Sequence, residues 1–122
     1  MSLLQRLRNW MNAATGGDHR LSPQALSVLL AAKEKPYVLD VRSPQEFRGD
    51  GHIAGANLIP LSELASHIKK IPTDCLIVTV CRSGARSAAA QSQLERAGYT
   101  QVKNLSGGMM AWQSAGLPVN RK

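Results

Sequence analysis

"CLIVTVCRSGARSAAA" (residues 75–90) joins an unbroken apolar run to a short polar turn and then to an alanine-rich segment. An apolar run without polar alternation is typical of a strand buried on both faces of a parallel sheet. The alanine-rich segment predicts a helix from Ser87 to Ala97, followed by Gly98 as its C-terminal cap. The residues between strand and helix, Arg82 to Arg86, are few enough that they must form a tight turn. A strand, a tight turn and a helix in this order indicate an α/β fold.

The rest of the chain alternates predicted helices with short predicted strands. Ser22 followed by Pro23 is typical of a helix start, and this helix is expected to run to about Ala32. Further helical segments are predicted at residues 44–48, 61–70 and within 107–116, and further strands at residues 37–41, 54–60 and 101–105. Because strands alternate with helices, we expect a three-layer fold with a central parallel sheet and helices on both faces.

Composition restricts the function classes. The chain has 122 residues, of which 43% are hydrophobic and 19% charged, as expected for one globular domain. No apolar run has the length of a membrane-spanning helix, so no integral membrane span is expected. The net charge of +7 favours anionic partners. Aromatic residues are only 4% and no basic stripe contains them, which argues against nucleic acid as a partner.

Residues 1–18 differ from the remainder and predict an N-terminal amphipathic arm ahead of a domain at residues 19–122. One helical face of this arm collects apolar residues, namely Leu3, Leu4, Leu7, Trp10 and Met11. Gly16 and Gly17 are expected to end the helix. The arm is interpreted as an extra helix packed on its own domain or on a partner; a transit peptide or a surface-seeking helix is the alternative.

The two cysteines flank the predicted central strand. Six steps along a strand place Cys75 and Cys81 roughly 20 Å apart, whereas a disulfide needs Cα atoms within about 7 Å. Two free thiols are therefore expected, and free thiols favour a reducing compartment such as the cytoplasm. No Cys-x-x-Cys motif and no His/Cys cluster with metal-ligand spacing is present, so neither a metal nor another cofactor is expected. Cys75 is interpreted as a small buried hydrophobic residue.

Cys81 lies at the carboxyl end of the predicted central strand, where ligands bind in open α/β sheets. Gly84 permits the backbone geometry of a tight turn, whose N–H groups and following helix start attract an anion. Arg82 and Arg86 add two positive charges. In such surroundings the cysteine sulfur is the anion that forms, with a pKa below the ordinary value of about 8.5. The sequence therefore predicts that Cys81 is a nucleophile.

Three segments in order along the chain resemble the rhodanese family, the thiosulfate sulfurtransferases. "CRSGARS" at residues 81–87 is similar to the active-site loop of that family. "LDVRSPQEFRGDGHIAGANLIP" at residues 39–60 resembles its first signature, and "LSGGMMAW" at residues 105–112 resembles its terminal one. The resemblance covers roughly residues 21–118 as one rhodanese module with the rhodanese-like three-layer fold.

This resemblance implies a persulfide mechanism. Cys81 would take the outer sulfur of thiosulfate or another anionic sulfur donor and pass it to a thiol or cyanide. The acceptors implied include a thioredoxin-like or sulfur-relay protein. Substrate binding is assigned to the rest of the loop, namely Arg82, Ser83, Gly84, Ala85, Arg86 and Ser87. Capping of the following helix is an equal alternative for Ser87.

Residues outside the loop are given supporting roles. Asp40 and Arg42 are expected to support the loop, and Arg42 is a candidate for a local ion pair with Glu46. His52 is interpreted as a structural hydrogen-bonding residue rather than a base. The terminal signature is expected to bring the last turn close to the loop and to anchor the last helix, through Gly107, Gly108 and Trp112.

Two alternative functions remain at the level of sequence. Cysteine phosphatases and arsenate reductases also hold a thiolate in an anion-binding loop, but those families place five residues between cysteine and arginine. Four residues separate Cys81 from Arg86, which predicts a smaller cradle suited to a sulfur atom. Rhodanese-like modules also serve as persulfide relays or binding domains for a partner protein, and a relay uses the same loop.

Overall fold

The computed structural model describes residues 2, 5, 6, 9 and 19–122. Gln5, Arg6 and Asn9 are helical and exposed, as expected for the polar side of an N-terminal helix. The apolar stripe predicted for residues 1–18 lies outside the described residues. The division into an arm and a domain beginning at residue 19 therefore stays a prediction.

Within the described residues, the strands form one five-stranded parallel sheet in the order β1-β5-β4-β2-β3. The strands are β1 (Arg20–Leu21), β2 (Tyr37–Asp40), β3 (Asn57–Leu58), β4 (Ile77–Val80) and β5 (Val102–Leu105). Strand β4 lies in the middle of the sheet and every one of its residues is buried. The predicted parallel sheet and the predicted central strand are both confirmed.

The helices cover both faces of the sheet. They are α1 (Pro23–Leu30), α2 (Pro44–Gly49), α3 (Leu64–His67), α4 (Ala85–Arg96) and α5 (Gly108–Ser114). One apolar cluster joins α1 and α5 to the sheet, and a second joins α3 and α4 to its other face. Neighbouring residues of β4 serve different clusters, Ile77 the second and Val78 the first, which confirms the three-layer arrangement. None of the helices in this part of the chain is long and apolar enough to cross a membrane.

The helix predicted at residues 61–70 is instead a chain of three short segments. A 3-10 turn at Leu61–Glu63 leads into α3, and a second 3-10 turn follows at Ile68–Lys70. The hydroxyl of Tyr99 lies 2.9 Å from the carbonyl oxygen of Ile68 and 2.6 Å from that of Ile71. The hydroxyl has one proton and donates it to one of these two carbonyl groups, which ties the end of the segment to Tyr99.

Gly108 allows α5 to start directly against the turn that follows β4. Its φ is +60°, and a Cβ atom there would lie 2.5 Å from the carbonyl oxygens of both Cys81 and Arg82. Those two carbonyls accept hydrogen bonds from the N–H groups of Met109 and Met110, at 2.9 and 3.0 Å. The predicted close approach of the terminal signature to the cysteine turn is confirmed for Gly108.

The C-terminal segment is tied to the domain by hydrogen bonds at two places. The indole Nε1 of Trp112, which is buried, donates to the carbonyl oxygen of Pro118 at 2.8 Å. His52 and Asn120 form an antiparallel bridge, with N–H to carbonyl distances of 2.8 and 2.7 Å. The His52 ring stacks on Phe47, and its Nδ1 lies 2.8 Å from the Phe47 carbonyl oxygen. His52 is therefore a structural residue, as predicted.

Candidate active site

Cys81 follows β4 directly and is almost completely enclosed, with 1% of its surface exposed. The backbone N–H of Gly84 donates to its sulfur at 3.0 Å, and the Ser87 hydroxyl donates at 3.3 Å. Gly84 has a φ of +114° and is the N-cap residue directly before α4. A residue with a side chain rarely adopts this φ, so glycine lets the turn fold over the sulfur. Cys75 and Cys81 are both free thiols, as predicted.

Ser87 does not cap α4, so the alternative role considered for it is wrong. The helix starts at Ala85, with Gly84 at the capping position, and Ser87 is already in its first turn. From there the Ser87 hydroxyl points back into the cysteine turn. Besides the Cys81 sulfur, it lies within hydrogen-bonding distance of the Gly84 carbonyl oxygen and of Asn104 Oδ1, at 3.2 and 2.6 Å.

Asn104 is a member of the site that the sequence analysis missed. Its Oδ1 lies 2.6 Å from the Ser87 hydroxyl oxygen, and its Nδ2 donates to the Gly84 carbonyl oxygen at 3.1 Å. The residue comes from β5, which pairs with β4 in a register that sets Asn104 opposite Thr79. The signal in the sequence was an asparagine within the predicted strand "VKNL". A polar side chain that is buried in a strand requires a hydrogen-bond partner, which marks Asn104 as a candidate.

Hydrogen bonds lower the pKa of Cys81. Burial raises its pKa, but donation by the Ser87 hydroxyl and by the N–H groups of Ser87, Gly84 and Ser83 outweighs burial. The net result is a pKa lowered from the ordinary value of 9.0. Cys75 behaves in the opposite way, because burial and the neighbouring Asp74 carboxylate raise its pKa. The lowered pKa of Cys81 agrees in direction with the sequence prediction, which relied in part on the N–H groups of the turn.

Replacing Ser87 with alanine should raise the pKa of Cys81, because the substitution removes the hydroxyl hydrogen bond, which lowers that pKa more than any other contact does. Iodoacetamide alkylation of Cys81 at neutral pH should slow by about tenfold, within the effect of losing a hydrogen bond to a charged group. The measurement is the alkylation rate as a function of pH, read by peptide mapping. Ser92→Ala, an exposed position on the same helix, is the control and should match the wild type. An unchanged pH midpoint in Ser87→Ala would contradict this account.

The two arginines of the turn have different environments. Arg86 forms a bidentate ion pair with Glu46, with Nη1–Oε1 and Nη2–Oε2 distances of 2.7 Å each. This pairing lowers the pKa of the Glu46 carboxyl to about 2. Glu46 also accepts from the N–H of Ser43 at the start of α2, which fixes its orientation. Arg82, by contrast, is exposed. The assignment of Arg82 and Arg86 to substrate binding stays a prediction.

Asp40 and Arg42 form a buried ion pair below the turn, each with 1% of its side chain exposed. Arg42 Nη2 lies 2.8 Å from Asp40 Oδ2, and Nε lies 3.0 Å from Oδ1. The predicted local pair of Arg42 with the Glu46 carboxylate is wrong. Arg42 precedes the helix cap Ser43 and so shares no helical face with Glu46. Asp40 sits opposite Val80, the residue before Cys81. The role of the pair in supporting the turn stays a prediction.

Comparison with known proteins agrees with this arrangement. The pattern of the family described as "Rhodanese-like domain" matches residues 22–115. A protein of Allochromatium vinosum named sulfurtransferase is 38% identical over 101 residues, which are 83% of this chain and 94% of that protein. Thiosulfate sulfurtransferase 16, chloroplastic, of Arabidopsis thaliana is 39% identical over 95 residues, which are 66% of this chain and 76% of that protein.

A solved structure shows the same fold. The crystal structure of a rhodanese-related protein from Thermoplasma volcanium superimposes with a TM-score of 0.77 at 33% identity. The superposition covers 84% of this chain and 98% of that one. The matched segment of the family pattern contains the cysteine turn, the Asp40–Arg42 pair and Asn104. By sequence pattern, by relatives and by fold, this chain belongs to the rhodanese-like domain family, in which it is related to sulfurtransferases.

Proposed function

We propose that the protein is a thiosulfate sulfurtransferase that carries the transferred sulfur on Cys81 as a persulfide. The observation that carries this proposal is the Cys81 sulfur, which accepts hydrogen bonds from Gly84 and Ser87 and has a lowered pKa. Those donors favour a sulfur-centred anion whether it is the thiolate or the persulfide. The relation to sulfurtransferases supports the same reaction class.

The first half-reaction needs no proton transfer. The Cys81 thiolate attacks the outer sulfur of thiosulfate, forming a new S–S bond while the sulfur–sulfur bond of thiosulfate breaks. Sulfite leaves with the electron pair of that bond, and the outer sulfur stays on Cys81 as a persulfide anion. Because the thiolate is already deprotonated and sulfite leaves as an anion, a general base is not required.

The residues of the turn are proposed to bind the donor and hold the persulfide. The N–H groups of Ser83, Gly84 and Ser87 donate toward the Cys81 sulfur, and those of Ala85 and Arg86 are proposed to complete the cradle at the start of α4. Arg82 supplies an exposed cation for the sulfonate. Arg86 is proposed to act with Glu46 as its partner, bracing the turn while contributing its positive charge. Asp40 and Arg42 support the turn from below.

The second half-reaction transfers the sulfur to a thiol or to cyanide. A thiolate attacks the outer sulfur of the persulfide, and Cys81 leaves as the thiolate with which the cycle began. Protein thiols of a thioredoxin-like or sulfur-relay protein are included among the proposed acceptors. We also propose a cytoplasmic site of action, because the cycle needs a free Cys81 thiol and both cysteines are free.

A persulfide relay uses the same turn and is the second candidate, whereas a phosphatase is less consistent with the site. The side chain of Arg86 is engaged by Glu46 through both of its terminal nitrogens, so it is not free to clamp a tetrahedral oxyanion. A relay differs from an enzyme only in the source of the sulfur that loads Cys81. Rapid turnover with thiosulfate alone supports the enzyme, and loading solely from a desulfurase supports the relay.

Intact-mass measurement of the protein after incubation with thiosulfate tests the proposal. We expect a gain of one sulfur atom on Cys81, located by peptide mapping, and loss of that sulfur on addition of a thiol. The variant Cys75→Ser is the matched control, because it removes the other thiol and should load fully. An adduct on Cys75, or the absence of any adduct, would refute the proposal.

A further inference from the structure

We infer that a cleft beside the cysteine turn, between Arg82 and Arg121, binds carboxylate groups of the acceptor thiol. The inference rests on the proposed sulfur transfer and adds to it the chemical class of acceptor. A thiol that carries carboxylates would be recognised by this cleft while its sulfur reaches the persulfide.

The cleft has a volume of about 260 Å³ and lies where four parts of the chain meet. Arg82 comes from the cysteine turn, Asp50 follows α2, and Met110 and Gln113 belong to α5. Arg121 closes the cleft from the C-terminal segment.

The cleft is lined by the residue that directly follows Cys81 in the chain. Arg82 is bonded to Cys81 in the chain, so their Cα atoms are about 3.8 Å apart. The carbonyl oxygen of Arg82 accepts from the N–H of Met110 at 3.0 Å, which holds this residue against α5. The inference therefore requires an acceptor that is anchored in the cleft and extends its thiol past Arg82 to the enclosed Cys81.

Backbone hydrogen bonds and packing of the two preceding residues hold Arg121 at the edge of the cleft. The preceding residue, Asn120, makes two backbone hydrogen bonds with His52, at 2.8 and 2.7 Å. Val119 packs against Gly51 so closely that a Cβ on this glycine would lie 2.8 Å from a Val119 methyl group. These contacts hold the segment that carries Arg121 along the rim of the cleft.

The charges of the cleft favour a carboxylate. Arg82 and Arg121 are both exposed, and neither makes an ion pair with a carboxylate of residues 19–122. A third guanidinium, that of Arg42, lines the cleft but is already paired with Asp40. Asp50 is the single acidic residue in the described lining. A planar guanidinium binds a carboxylate through two parallel hydrogen bonds, so two such groups suit an acceptor with two carboxylates.

The transfer itself is balanced without another reactant. The acceptor thiolate attacks the outer sulfur of the Cys81 persulfide and forms a new S–S bond, while the bond between Cys81 Sγ and that sulfur breaks. The electron pair of the broken bond stays on Cys81, which returns as a thiolate, and the acceptor leaves as its own persulfide. The arginines bind and orient the acceptor and take no part in the bond changes.

Transfer from thiosulfate to mercaptosuccinate, which carries two carboxylates, is compared with transfer to neutral 2-mercaptoethanol. The quantity measured is the ratio of kcat/KM for mercaptosuccinate to kcat/KM for 2-mercaptoethanol. In Arg121→Gln this ratio should fall about two- to fivefold, the effect of losing one partly exposed charge pair. Comparing the variant with the wild type cancels the different reactivities of the two thiols. Added salt should lower the wild-type ratio as well.

Arg121→Lys, which keeps the charge, should retain most of the ratio. Arg96→Gln is the matched control, because it removes one exposed arginine at the far end of α4 and should leave the ratio unchanged. If thiosulfate does not load Cys81, the proposed function fails and this inference fails with it. If loading is normal but Arg121→Gln keeps the wild-type ratio, the inference alone is overturned.

Discussion

Replacing Cys81 with serine should lower sulfur transfer from thiosulfate to cyanide by about four orders of magnitude or more, as loss of a covalent nucleophile does. The serine hydroxyl fits the same space and keeps the Gly84 and Ser87 donors, but it is not ionised at neutral pH. It therefore neither attacks the donor nor carries the transferred sulfur. The measurement is the rate of thiocyanate formation with thiosulfate and cyanide both saturating.

Two control experiments test whether the loss of transfer is specific to Cys81. Cys75→Ser should keep transfer within about twofold of the wild type, because the Cys75 thiol has a raised pKa and no part in the turn. Cys81→Ser should unfold in urea close to the wild-type midpoint, which excludes loss of structure as the cause. Substantial transfer by the folded Cys81→Ser protein would show that the sulfur travels by another route.

Replacing Arg42 with methionine should lower the free energy of unfolding by about 3–5 kcal/mol. The substitution leaves the Asp40 carboxylate buried without its cation, and it removes the hydrogen bond from Arg42 Nη2 to the Gly51 carbonyl oxygen at 2.9 Å. Domains of this kind have unfolding free energies of about 5–15 kcal/mol, so a large share of the stability is at stake. Urea unfolding followed by circular dichroism measures the loss.

The control is Arg48→Met, which changes an exposed arginine nearby and should shift the unfolding free energy by no more than about 0.5 kcal/mol. The double variant Asp40→Leu/Arg42→Met should be more stable than Arg42→Met alone, since it leaves no unpaired buried charge. A double variant less stable than Arg42→Met would mean that the carboxylate is useful without its partner. That outcome would contradict the account of Asp40 and Arg42 as a mutually compensating pair.

The sequence alone predicted the structural features that depend on residues close together in the chain. The unbroken apolar run before Cys81 predicted a central strand, because only burial on both faces accounts for such a run. Gly84 predicted the tight turn after Cys81, and its φ of +114° is one that other residues rarely adopt. Ser22 and Pro23 predicted the start of α1, where the Ser22 hydroxyl accepts from the N–H of Ala25 at 3.1 Å. In each case, the local structure is determined by residues that are adjacent in the sequence.

The errors arose where a residue's partner lies elsewhere in the fold. Ser87 was given a capping role because it stands near a helix start, but its hydroxyl turns to Cys81 and Asn104. Glu46 was considered a partner for the nearby Arg42, whereas its carboxylate binds Arg86, forty positions along the chain. Sequence spacing does not report such pairs, because strand order and register create them.

The sequence by itself determined the three-layer α/β fold and the position of the Cys81 thiol after the central strand, since both follow from apolar patterning and turn chemistry around Cys81. The tertiary structure decided how that sulfur is held and what charge surrounds it. Pairing of β5 with β4 brings Asn104 to the turn, and packing of α2 beside the turn brings Glu46 to Arg86. Hydrogen bonds and ion pairs act over about 3 Å, so they depend on which segments fold against one another.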